Sequence, residues 1–245
     1  MPKSNSARMF VALIVLSGFL VLGDAALKAR SVPSVRFVVF LAAACVAARL
    51  KIKLPGLTGT MSINLPFILV AAATMNSAEA LAVGFISTFI QCLPKGKKLN
   101  LVQAAFNCGT IILAVAATRF IFASPSVASA ISSPSLRLAV AAAGYALVNI
   151  MPVAIVIGLT EGAGILRTWW ELLQLSFPYL VASAGIAGVA LTVGQEVGWQ
   201  VPLAVLPIMV GIFLSYRRYF AATVDSEAAN IRAESGSHVV AGAKA

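Results

Sequence analysis

The sequence predicts an all-α integral membrane protein, a polytopic helix bundle of about eight helices that includes one short helical hairpin. Three observations predict it. Of the 245 residues, 60% are hydrophobic and only 11% are charged, against about 45–50% and about 25% in a soluble domain. The mean hydropathy is +0.96. The apolar residues also fall in runs separated by short polar clumps, and a bilayer-spanning helix needs about 20 of them in succession. A water-soluble globule of this length has too much surface for so few charges. A protein whose outer face meets lipid tails does not.

Met9–Leu27 is the first run, following Lys3 and Arg8 and closing at Asp24, Lys28 and Arg30. Its basic start, apolar centre and small residues Gly23 and Ala25 also fit a secretory signal peptide, whose removal would leave seven helices. Val32–Ala48, apolar apart from Ser34 and Arg36, stops at "ARLKIK". Ser62–Gln91 then runs for about 30 residues, or about 45 Å as one helix, too long for a hydrocarbon core of about 30 Å. "MNSAEA" breaks it in the middle. Ser77 is an N-cap type, and Glu79 then sits in a first helical turn, where negative charge suits the macrodipole. The stretch therefore predicts two short helices, Ile63–Met75 and Ala78–Leu93, in a tight hairpin turning at Asn76. The first is short enough to be a re-entrant or half-depth segment buried against its neighbours.

Leu101–Phe122, Leu138–Leu159, Leu172–Val193 and Val201–Tyr216 complete the set. "GILRTWWELL" reads as a short surface helix ahead of the seventh span, with Trp169 and Trp170 as an interfacial anchor. Pro152, Pro178, Pro202 and Pro207 lie in or at the ends of late helices, where kinks are expected. Residues 1–8 form an N-terminal segment, 9–219 the transmembrane domain, and 220–245 a flexible polar tail. No internal repeat is present.

Charge placement tests this count, because cytoplasmic loops carry the excess of Lys and Arg. With both termini cytoplasmic, Lys3, Arg8, the "ARLKIK" and "PKGKK" clumps, Arg167, Arg217, Arg218, Arg232 and Lys244 lie inside. Lys28, Arg30, Arg36, Arg119 and Arg137 lie outside. Were Ser62–Gln91 a single crossing, "ARLKIK" and "PKGKK" would fall on opposite sides, so the hairpin is preferred.

The net charge of +10 does not point to nucleic acid, because the basic residues form no single face or patch. Cys45, Cys92 and Cys108 all lie in apolar runs with no CxxC pair, and His238 is the lone histidine, so no metal site is expected. Nor is there an HExxH, a GxxxxGK(S/T), a GxSxG or a carboxylate pair on one helix face. No catalytic residues and no cofactor are expected. The candidate ligand-binding residues are polar groups in or beside the spans, which are costly in lipid. Asn149 lies near the middle of Leu138–Leu159. Asn107, with Gln103 and Thr110 near the same face, lies in Leu101–Phe122. Asp24, Glu79, Arg119 and Glu196 lie near the outer surface, where the first three could add charge to a ligand mouth. The competing reading gives the amides interhelical hydrogen bonds worth about 0.6–2 kcal/mol each and leaves the charges to end their helices. Ala184 and Gly188, four apart in "YLVASAGIAGVALTVG", permit close helix approach, within the bundle or to a partner's helix.

Two resemblances attach to these residues. "LKIKLPGLTGTMSINLPFILVAAATMNSAEALAVGFISTFIQCL", continued through "YALVNIMPVAIVIGLTEG" and "SFPYLVASAGIAGVAL", resembles the N-terminal membrane domain of bacterial proteins that carry cytoplasmic HD-GYP or GGDEF output domains. The likeness covers roughly residues 37–216, and no output domain follows Arg218. "LPGLTGTMSINLPFILVAA" with "NSAEALAVGFIS" is similar to the S-components of energy-coupling factor transporters, although "NSAEA" stands where their Gly-Pro turn would be. The first resemblance implies a stand-alone, sensor-like module of a bacterial inner membrane that acts through a separate signalling protein. The second implies a solute-binding subunit working with transporter partners. Beyond those, the lipid bilayer is the expected partner.

Overall fold

Helix after helix follows from the apolar runs. The computed structural model describes residues 5–29, 35–53, 60–94, 99–197, 205, 207–211 and 214–215. Helix α1 spans Asn5–Lys28 and α2 Val35–Arg49. Strands β1 (Lys51–Lys53) and β2 (Thr60–Ser62) pair antiparallel, with Lys51 opposite Ser62 and Lys53 opposite Thr60. Next come α3 (Leu65–Thr74), α4 (Ser77–Cys92), α5 (Leu101–Ala123), the short α6 (Pro125–Ala130), α7 (Pro134–Glu161) and α8 (Ile165–Val197). Most of the predicted span Val201–Tyr216, the tail 220–245 and residues 1–4 lie outside the described residues. Val205 and Met209, from that last span, are buried in the core.

The helical class is as the sequence predicts, and four helices, α1, α5, α7 and α8, are long and apolar enough to cross a membrane. Three details differ. The small β-ladder was not expected. It forms where the polar–apolar alternation of Lys-Ile-Lys and the Pro and Gly of the following "LPGLTG" disfavour a helix. The segment "GILRTWWELL" is not a separate surface helix but the first turns of α8, which runs unbroken for 33 residues. No Gly or Pro interrupts Ile165–Phe177, and Arg167 Nε reaches Glu171 Oε1 at 2.9 Å one turn on, so nothing stops the helix there. At its other end α8 continues through Gly194–Val197, part of the predicted "GQEVGW" loop. Helices α7 and α8 both continue through their internal prolines, Pro152 and Pro178.

Helix α3 positions everything else. Its ten residues are apolar all round, and a helix with no polar face belongs inside. Leu65 through Ala72 are all buried, enclosed by α2, α4, α5, α7 and α8. Helix α1 packs along α5, α4 and α7, turning Leu13, Leu16 and Leu20 outward. Its approach to α5 is backbone against backbone. A Cβ on Gly18 would stand 2.6 Å from Gly109 Cα, and one on Gly109 would stand 2.9 Å from the Ile14 carbonyl oxygen. Glycine is what allows two helices this close.

Candidate functional site

The hairpin turn is built by two residues that the sequence marks out. The N-cap of α4 is Asn76, not Ser77. Asn76 Oδ1 accepts from the Glu79 backbone N–H at 2.9 Å, and Glu79 Oε2 accepts from the Asn76 N–H at 3.4 Å. This reciprocal pair needs cap-to-third-residue spacing, which Asn76–Glu79 has and Ser77–Glu79 lacks. On the other side of the turn, α3 ends. There Arg119, half-buried on α5, donates from Nη1 to the Ala72 carbonyl at 2.9 Å and to the Met75 carbonyl. A cation on terminal carbonyls is favourable in charge and in hydrogen bonding. Arg49 acts similarly at the end of α4, donating to the carbonyls of Ile90 at 3.3 Å and Leu93 at 3.5 Å.

Glu79 and Arg119 thus share one turn but serve opposite helix ends. The other sequence-derived candidates lie apart from them. Asp24 is exposed on α1 and pairs with Lys28 at 2.8 Å. Asn107 Nδ2 lies 3.6 Å from Cys92 Sγ, bridging α5 to α4. Asn149 is half-buried on α7, with no hydrogen bond to its amide among the described residues. The five do not converge on one site. Gln103 is exposed. Thr110 is buried with its Oγ1 unpartnered.

A different polar cluster sits at the inner end of α3, and sequence reading missed it. Asn64, the residue before the helix, is buried and donates from Nδ2 to Ser87 Oγ at 3.2 Å. Ser87 in turn donates to the Gly84 carbonyl at 3.3 Å. Leu65 donates its backbone N–H to the Tyr179 hydroxyl at 3.2 Å. Tyr179 on α8 and Tyr145 on α7 are neighbours in the buried core. Ser183, one turn beyond Tyr179 and 0% exposed, lies beside the Tyr179 hydroxyl without reaching hydrogen-bonding geometry, so its Oγ is unpartnered. Thr88, next to Ser87, is likewise buried with an unpartnered hydroxyl. The first turn of α3 has no acidic side chain and no side-chain cap. Everything around it is neutral and hydrogen-bonding. The signal available in the sequence was Asn64 two residues before Pro66, since proline favours the first turn of a helix. Tyr179 and Ser183 carry no local signal, because only the packing of α8 on α3 brings them there.

The largest groove is elsewhere, between α7 and α8, with a volume of about 620 Å³. Its floor is of small residues, including Ala139, Ala143, Ala184 and Gly185. Gly188 packs inside the bundle. A Cβ there would meet Ser135 Cβ at 3.3 Å, and Ser135 Oγ donates to the Gly188 carbonyl at 3.0 Å. Among the described residues no group of three or more His, Cys, Asp or Glu could hold a metal ion. Compared with family models, with curated proteins and with solved structures, the chain matches none.

Proposed function

We propose that the chain is a non-catalytic, multi-pass module of a bacterial inner membrane that receives a small ligand and acts through a separate protein. The observation that carries this reading is the enclosed helix α3. Ten residues make a helix of about 15 Å, half of a hydrocarbon core of about 30 Å. On a topology with both termini cytoplasmic, the Asn76 turn lies at the outer surface and the start of α3 near mid-depth. A broken helix whose end meets polar groups at mid-depth is the arrangement by which membrane proteins receive small solutes. Polar groups kept there despite their cost in lipid call for a functional reason.

The resemblance to sensor-type membrane domains supports action through a signalling partner. The short hairpin and the polar start of α3 favour a second reading, a solute-binding subunit of a transporter. Capture of the intact protein from native membranes in mild detergent, with co-purifying proteins identified by mass spectrometry, separates the two. Recovery of a cyclic di-GMP enzyme or a histidine kinase is the expected outcome for the sensor. Recovery of paired ATPases with a membrane coupling subunit gives the transporter subunit. Recovery of no partner sinks action through a separate protein.

A further inference from the structure

Two features at the start of α3 are not explained by packing alone. The first is the electrostatics of the helix end. A helix N-terminus carries a partial positive charge of roughly half an elementary unit. Helix α3 has no acidic residue in its first turn and no side-chain cap to offset it. The second is Ser183. Its hydroxyl is fully buried, unpartnered and turned toward this helix end beside Tyr179. A buried hydroxyl with no partner is costly, by about 1–3 kcal/mol, unless something else uses it. Tyr179 adds a directional clue. Its oxygen accepts the Leu65 N–H at 3.2 Å, which leaves its own proton free to be donated.

We infer that the start of α3 is a binding site for a small monocarboxylate, its two oxygens taking the O–H donors of Tyr179 and Ser183 at the positive end of the helix. This rests on the reading of the chain as a ligand-receiving module and names the ligand's class. The site suits one negative charge, since no arginine or lysine is seen bonding to this cluster and the helix end offers only a fraction of a unit charge. It suits an apolar remainder, because Ile63, Phe67 and Tyr145 beside it are buried. Backbone and hydroxyl donors at a helix N-terminus are a recognised way to hold an anion without a formal cation.

The test uses the full-length protein purified in mild detergent. Equilibrium dialysis with radiolabelled butyrate is run in competition with straight-chain monocarboxylates from acetate to octanoate and with benzoate. The neutral isostere butyramide and chloride serve as controls. Saturable binding of at least one monocarboxylate is expected, with its amide at least tenfold weaker and chloride without effect. Ser183→Ala should weaken binding about tenfold, the loss of one charge-assisted hydrogen bond. Without ligand the same variant should be at least as stable as the parent, because it removes an unpartnered hydroxyl. Tyr179→Phe should weaken binding further. Should Tyr179→Phe fail to fold, Ser183→Ala still decides. Absence of saturable binding by every acid in the series overturns the inference, as does an amide that binds equally well or a Ser183→Ala protein with unchanged affinity. Partner capture tests the broader reading separately. A recovered partner together with no carboxylate binding removes the ligand class and leaves the module.

Discussion

Arg119 shows how a charge that resembles part of a ligand site can be fully occupied by the backbone. In lipid, terminal carbonyls have no water to turn to, and each unsatisfied group costs several kcal/mol. Arg119 satisfies those of Ala72 and Met75 from a neighbouring helix. Arg119→Met should therefore destabilise the protein by about 2–3 kcal/mol, the range for hydrogen bonds to a charged group. Arg119→Lys should lose less, because the charge remains beside the helix end. Unfolding by titration of denaturing into mild detergent reads both values, and an unchanged midpoint for Arg119→Met refutes the capping role. Asn76→Ala should cost about 1 kcal/mol, as for other N-caps, with Glu79→Gln costing less because an amide can still complete the box. The turn at Asn76 was legible because a polar, N-capping sequence interrupts an apolar run. The bond from Arg119 was not, since it joins residues more than forty positions apart.

Elements pack by backbone proximity more than by hydrophobic transfer, because lipid tails are as apolar as the side chains they would exchange with. The α1–α5 crossing at Gly18 and Gly109 is the clearest case, with no room for a Cβ on either residue. Gly109→Leu should push the helices apart and cost about 1–3 kcal/mol, as overpacking does. Gly185→Ala is the matched control. A Cβ at Gly185 meets nothing within 4 Å, and alanine is the better helix former by about 1 kcal/mol, so this variant should be neutral or stabilising in the same titration. Equal losses at the two positions would show that close packing at Gly109 is not what matters. Helix α8 teaches a complementary lesson. A run of polar and aromatic residues, "RTWWEL", looks like a boundary when hydropathy is read alone. It is continuous helix because residues with adequate helix propensity and an Arg167–Glu171 pair supply no reason to stop.

The whole molecule is a helical bundle wrapped around a half-length helix. The proposed topology predicts that the Asn76 turn and the Gly162 turn lie on opposite sides of the membrane. Alkaline phosphatase fused after Asn76 should be active, and the same enzyme fused after Gly162 should be silent. Activity at neither position, or at both, would sink the two-helix hairpin arrangement. Gly162 is a natural fusion point, since it ends α7 in the left-handed conformation at φ 73°, where glycine is at ease.

What the sequence determined by itself is the class of molecule, the long spans and the hairpin turn. These depend on composition, run length and the short-range chemistry of caps, all of which act between residues near in the chain. Only the tertiary structure decided that α3 is the enclosed centre, that Arg119 closes one end of it, and that Asn64, Tyr179 and Ser183 surround the other. Those contacts join α3 to α4, α5 and α8 across long separations. Nothing in a run of apolar residues says which helix will face which, because that choice is made by close packing and by the demand that buried polar groups find partners.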